Sequence, residues 1–162
     1  MRKITPFLWF ENQAEEAVRH YISIFKESRI VDVARHRTEG VPGNPGGPGT
    51  VLTISFELEG QSFMALNGGP QFKFTEAISF LVDCADQAEV DYYWTRLLEG
   101  GGTEMACGWL KDRYGVSWQI VPTILGTLLS DPDPVKAQRV MAAMFQMVKL
   151  DVAQLKAAYG AD

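Results

Sequence analysis

Hydrophobic residues along this chain follow two periods that alternate in the same order twice. The run from Ile4 to Phe10 (ITPFLWF) is apolar and strand-like. After it Ala14, Ala17, Val18, Tyr21, Ile24 and Phe25 recur at three-four spacing, which predicts a helix with one buried face. Asn12 is placed to cap that helix. Ser28 to Arg35 reads as a second strand. Val51 to Leu58 sets Val51, Thr53, Ser55 and Glu57 against Leu52, Ile54, Phe56 and Leu58, the alternation of a strand with one face covered. Glu59-Gly60 then turns the chain into a partner strand, Gln61 to Leu66.

Asn67-Gly68-Gly69-Pro70 stops this series, and Gln71 to Glu76 carries the chain to a second one. Ala77 to Cys84 is again strand-like. Asp86 caps a helix with Val90, Trp94, Leu97 and Leu98 inward, and Gly100-Gly101-Gly102 ends it. Thr103 to Leu110 and Val116 to Val121 follow as strands, joined through Asp112-Arg113-Tyr114-Gly115. Asp at the first and Gly at the fourth position suit a type I turn, which makes Asp112 a turn residue rather than a catalytic acid. The two series also share wording: Asn12-Gln13-Ala14-Glu15 in the first answers Asp86-Gln87-Ala88-Glu89 in the second. A repeat this long predicts two copies of one supersecondary unit, residues 1–70 and 71–124, in a single domain. A cleft between the copies is then the expected place for small-molecule chemistry.

Two segments fall outside the repeat. Arg37 to Gly49 is too rich in Gly and Pro for regular structure and reads as a long connection between neighbouring strands, either a plain loop or a lid. In the tail, residues 125–162, Asp133-Pro134 supplies a cap and a first-turn proline for a helix from Val135 to Val148, and Asp151 caps a short last helix to Tyr159. The stripe Val140, Met141, Met144 and Val148 reads as core or, failing that, as a dimer contact.

Composition narrows the function. With 162 residues, 46% of them hydrophobic, the chain is long enough for a packed core. A net charge of -5 and the lack of any dense Lys/Arg run argue against nucleic acid as a partner. The N-terminal apolar run is too short for a signal peptide or a membrane span, so the reading is a cytoplasmic protein without a membrane partner. Cys84 and Cys107 are spaced like neither a zinc site nor a redox pair, and read as small buried or half-buried residues.

The segments ALNGGPQFKFTEAISFLVDC (Ala65 to Cys84) and GWLKDRYGVSWQIVP (Gly108 to Pro122), with the tail DPDPVKAQRVMAAMFQMVKLDVAQLKAAY, resemble the PhnB-like subgroup of the glyoxalase, or vicinal oxygen chelate, superfamily. The subgroup is often labelled demethylubiquinone methyltransferase-like. The resemblance implies an α+β fold of two βαβββ modules curved around a cleft, C-terminal helices, and pairing of chains as a homodimer. In metal-using relatives His and carboxylate side chains on the first and last strands of each module hold a divalent ion that a substrate chelates.

Those strands carry few such groups here. On the first strand Thr5, Phe7 and Trp9 are expected to face the cleft, with Ile4, Leu8 and Phe10 toward the helix. On the opening strand of the second unit the matching set is Ala77, Ser79, Leu81 and Asp83. Phe63, Ala65 and Asn67 share one face of the last strand of the first unit, and Ser117, Gln119 and Val121 one face of the last strand of the second. Gln119 stands where metal-using relatives often carry Glu, and a neutral amide is seldom a tight ligand. His20 lies within a helix and His36 at the end of the second strand, away from those positions. The expectation is therefore a cleft with no metal and no cofactor, walled by Phe7, Trp9, Phe72, Phe74, Trp109 and Trp118, with Asn67, Ser79 and Gln119 as polar groups, suited to a small flat or apolar molecule.

Three other readings stay open. The first is a metal-dependent lyase, isomerase or dioxygenase with an atypical site using Gln119, Asp83 or a residue of a dimer partner. The second is a structural dimer whose cleft is filled by its own side chains. The third is a methyltransferase, which fares worst, because no glycine-rich turn joins a strand to a helix.

Overall fold

The structure is a computed structural model that describes residues 3–37 and 46–161. The chain divides into two compact units, Met1–Phe74 and Thr75–Asp162.

The first unit runs β1 (Phe7–Phe10), α1 (Ala14–Ile24), β2 (Arg29–Arg35), β3 (Val51–Leu58) and β4 (Gln61–Asn67). Its sheet has the order β1-β4-β3-β2, with β1 parallel to β4 and the other pairs antiparallel. The predicted inward face of α1 is buried: Ala14, Ala17, Val18, Tyr21 and Ile24 lie against the sheet face made by Leu8, Phe10, Ile54, Phe56, Phe63 and Ala65. Each of the larger side chains contributes roughly 1.5–3 kcal/mol by leaving water and each alanine methyl about 0.8 kcal/mol, and this layer holds the module together.

Three expectations for this unit need correcting. Strand β1 begins at Phe7, because Ile4 and Thr5 precede the register with β4, and Ile4 is 87% exposed instead of facing the helix. Asn12 does not cap α1. The N-cap is Gln13, whose side chain makes no capping bond, and the Asn67 side chain at the end of β4 supplies the missing acceptor instead. Phe63, Ala65 and Asn67 lie on the helix side, since Asn67 pairs with Phe10 and Ala65 with Leu8. The opposite face of β4 carries Met64 and Leu66 beside Phe7 and Trp9. Most of the Gly/Pro segment expected as a loop or lid, residues 38–45, lies outside the described residues.

The second unit repeats the order: β5 (Phe80–Cys84), α2 (Gln87–Leu98), β6 (Thr103–Glu104), β7 (Trp109–Lys111) and β8 (Ser117–Pro122), arranged β5-β8-β7-β6. Here Asp86 caps α2 as predicted, accepting from Glu89 N at 3.0 Å, while Glu89 Oε2 accepts from Ala85 N at 2.8 Å. The stretch read as one strand from Thr103 to Leu110 is two strands. Cys107 at φ +60° and Gly108 at φ +80° reverse the chain between them, and Trp109 N donates to Ala106 O at 3.2 Å. A single left-handed glycine is a visible turn signal, but a cysteine in that conformation is not.

The unit continues into α3 (Ile124–Leu129), α4 (Pro134–Phe145) and α5 (Val152–Gly160). Helix α3 was not expected. Asp133 caps α4 through Val135 N, and Asp151 caps α5 through Gln154 N, both at 2.9 Å. Leu125, Leu128, Val140, Met147, Leu150 and Leu155 form a core of their own. The connection from α4 to α5 is stitched to the module: Cys107 N donates to Met147 O at 2.8 Å and Gly108 N to Val148 O at 2.7 Å. Gln87 reaches the same connection, donating to Leu150 O at 3.2 Å and accepting from Val152 N at 2.8 Å. Of the stripe read as core, Val140 is buried and Met144 partly so, whereas Met141 and Val148 are exposed.

Candidate functional site

Each sheet covers one face with its helix and leaves the other open. On the open face of the second sheet the register sets Leu81, Gln119 and Trp109 side by side across β5, β8 and β7. Trp109 is half-buried and Leu81 exposed, so they form an apolar shelf with the amide of Gln119 at its centre. Gln119 Nε2 donates to Ser79 Oγ at 2.8 Å, which fixes the amide and spends neither its Oε1 nor the Ser79 O–H on that bond. Further along the same faces, Lys111 on β7 pairs with Glu76 in the segment that leads into β5. That pairing holds the Glu76 carboxyl below its ordinary range. Three of the expected site residues, Ser79, Trp109 and Gln119, are thus brought together.

Trp118 is not among them. It alternates with Gln119, is 3% exposed, stacks obliquely on Phe80 at 5.4 Å, and donates its Nε1–H to Asp112 Oδ2 at 2.9 Å. Asp112 itself is 3% exposed and its Oδ1 accepts from Tyr114 N and Val116 N, at 2.9 and 3.0 Å. It is a turn residue, as its position suggested, and also the polar anchor of the Trp118 side of the module, a role that only the structure reveals.

On the open face of the first sheet Phe7 is 51% exposed beside Met64, and Trp9 lies beside Leu66. Trp9 spends its polar handle within the chain. Its Nε1–H donates to Gly69 O at 2.9 Å, and its ring lies so close to Gly68 that a Cβ there would sit 2.2 Å from Cζ2. Phe72 meets the same indole edge-on at 4.9 Å. Phe74 turns the other way and packs on Phe10, a helix-side residue, at 5.2 Å. Asn67 is likewise committed: Oδ1 accepts from Ala14 N at 2.8 Å and Nδ2 donates to Val51 O at 3.1 Å. Phe74 and Asn67 therefore do not join the open face.

Among the described residues no three His, Cys, Asp or Glu side chains are grouped to hold a metal ion. Asp83 shares the face of Ser79 and Leu81, but it pairs with Val121 and so stands two residues, about 7 Å, beyond the Leu81–Gln119 row. Its Oδ1 accepts from Thr123 Oγ1 at 3.0 Å. His20 is on α1, and the His36 ring packs where a Cβ on Gly46 would fall. The donor set around Gln119 does not fit a divalent ion. Cys84 is buried, and that burial, with the negative charges of Glu89 and Asp83, pushes its thiol up to about 12, far from a reactive thiolate.

The family model described as 3-demethylubiquinone-9 3-methyltransferase matches residues 2–121, which takes in both modules up to β8. The chain belongs to this family. Within it, a putative 3-demethylubiquinone-9 3-methyltransferase, a PhnB protein from Bacillus cereus, is 38% identical over 75% of this chain and 99% of its own, with a TM-score of 0.66. A protein from Pseudomonas aeruginosa, 18% identical over 75% of this chain and 98% of its own, shares the fold at a TM-score of 0.62. A gene product from Arabidopsis thaliana, 19% identical over the same shares, gives 0.50. No curated protein matches the chain. The PhnB-like resemblance carried by the sequence motifs therefore holds, and the two βαβββ modules that it implied are present. The family match ends before α3, so the three C-terminal helices extend beyond the matched region.

Proposed function

We propose that this family member binds a small organic molecule without a metal, and that the ligand lies on the open face of the second sheet. The carrying observation is the row Leu81, Gln119 and Trp109, an apolar shelf with one hydrogen-bonded amide at its centre. A flat molecule resting on the shelf buries apolar area against Trp109 and Leu81 while Gln119 Oε1 and the Ser79 hydroxyl take one polar group. In the first module Phe7, Trp9 and Phe72 serve as apolar surface only, since the Trp9 indole N–H is already spent on Gly69.

The donor chemistry at Gln119 favours this reading over a metal-dependent lyase, isomerase or dioxygenase. Methyl transfer, which the name of the Bacillus cereus relative attaches to that protein, has less support in this chain. The links from β1 to α1 and from β5 to α2, Glu11 to Gln13 and Ala85-Asp86, hold no glycine to cradle a nucleotide-like cofactor.

A screen of neutral aromatic metabolites for thermal stabilisation tests the proposal. Stabilising compounds are expected, and Gln119→Ala is expected to abolish the shift while leaving the unliganded stability within about 1 kcal/mol of the parent. Retention of about one manganese, iron, nickel or zinc ion per chain after desalting, lost in Gln119→Ala, would overturn it.

A further inference from the structure

The face that carries Gln119 also carries a hydroxyl without a partner. Ser117 on β8 is 1% exposed, and its Oγ has no hydrogen-bond partner. Two residues from Gln119 on the same strand, it points to the same side of the sheet, and its register partner on β7 is Lys111. Strands β5 and β7 flank β8, and Lys111 on β7 pairs with Glu76, which precedes β5. The groups gathered there are donors: the Lys111 ammonium, the Ser117 hydroxyl, and the Ser79 hydroxyl, whose oxygen already accepts from Gln119. Only Glu76 accepts. A buried hydroxyl with nothing to bond is costly to retain, and here its register partner on the neighbouring strand is a lysine.

We propose that Lys111, Ser117 and Ser79 form an anion subsite for a ligand carboxylate, and that Glu76 occupies Lys111 from within the chain when no ligand is bound. The inference rests on the ligand reading above and narrows it to small aromatic carboxylates, the ring on Trp109 and Leu81 and the carboxylate toward Lys111. Ser117 stands about 7 Å along β8 from Gln119, the scale of one substituted ring. Glu76 is free to yield its place. It lies outside every strand, in a turn where Ile78 N donates to Thr75 O at 3.5 Å and Ala77 N to Thr75 Oγ1 at 3.4 Å, so little backbone bonding is lost if it swings away.

The test is an NMR titration of the full chain with benzoate and with benzamide, its neutral counterpart, in the parent, Glu76→Gln and Lys111→Met. Benzoate is expected to bind Glu76→Gln about fivefold more tightly than the parent, the scale of removing one partly exposed internal competitor. Ser117→Ala in the Glu76→Gln background is expected to take most of that gain back, and Lys111→Met to weaken benzoate without altering benzamide. Equal benzoate affinity in the parent and Glu76→Gln, with both folded by circular dichroism, would overturn the subsite. Benzamide binding with no benzoate binding would overturn the subsite and leave the ligand reading standing. Binding of neither would overturn both.

Discussion

Asp112 offers the most quantitative check on how the second module is held. Its carboxylate is 3% exposed and receives three donors: Tyr114 N, Val116 N and the indole N–H of Trp118. In Asp112→Ala the half-buried Tyr114 N–H can turn to water, but Val116 and Trp118 are each 3% exposed and lose their acceptor. Each buried donor left unpaired costs about 1–3 kcal/mol, and bonds to a charged acceptor lie at the upper end. The expected loss is about 3–5 kcal/mol, or about 10 °C in melting temperature for a chain of this size. Asp112→Asn keeps one oxygen for the two backbone donors but presents an N–H₂ to the Trp118 N–H, and should lose about 2 kcal/mol. Urea unfolding followed by circular dichroism and by tryptophan fluorescence measures both. A loss under about 1 kcal/mol for alanine, or an asparagine variant as damaged as the alanine one, would refute the reasoning.

Other consequences follow from single contacts. Asn67→Ala removes the acceptor that stands in for a cap on α1 and should cost about 1–2 kcal/mol in the same unfolding assay, whereas Asn12→Ala should cost almost nothing. Gly108→Ala places a Cβ at φ +80°, 2.9 Å from Ile120 O and from Leu150 Cγ, and should cost more than the roughly 1–2 kcal/mol of a left-handed alanine alone. Limited proteolysis of that variant should cut between α4 and α5 first, because Gly108 N holds Val148 O there. Tyr159 donates its hydroxyl to Asp131 at 2.6 Å, which raises the phenol above its ordinary value and lowers the Asp131 carboxyl. The contact therefore supports the fold between those limits: its contribution fades as pH falls through the lowered carboxyl value and as pH rises through the raised phenol value. In Asp131→Ala, ring NMR of Tyr159 should show ionisation at lower pH than in the parent.

The alternation of apolar and polar residues predicts the repeated fold well because both modules bury one face against an amphipathic helix. Ala17, Val18 and Tyr21 on α1 and Ile54 and Phe56 on β3 fall where their periods place them. Errors arise where a tertiary contact replaces a local one. Asn67, fifty-three residues downstream of Ala14, does the capping that Asn12 was expected to do. Cys107 takes a left-handed conformation that its side chain does not advertise, so one predicted strand becomes two. The short α3 lacks a side-chain cap, and its start gives no local signal. At the site, strand parity brings Ser79, Gln119 and Trp109 together as the sequence implies. On β4 the observed parity is opposite to the expected one, because the phase of that strand is set by its pairing with β1 and not by its own composition. Whether an aromatic residue is available to a ligand depends on its partner: Trp9 is tied to Gly69, Phe74 to Phe10 and Trp118 to Asp112. Those partners are distant in sequence for Trp9 and Phe74, and for Trp118 the tie reads first as a turn.

The most direct test of the central claim is amide and side-chain NMR of the labelled chain during titration with a collection of small aromatic compounds. The account predicts that binding compounds shift the Gln119 side-chain amide and the Trp109 indole N–H together, and leave the Trp118 indole N–H in place on Asp112. Shifts confined to other surfaces, or selective broadening around Gln119 on adding manganese alone, would contradict it.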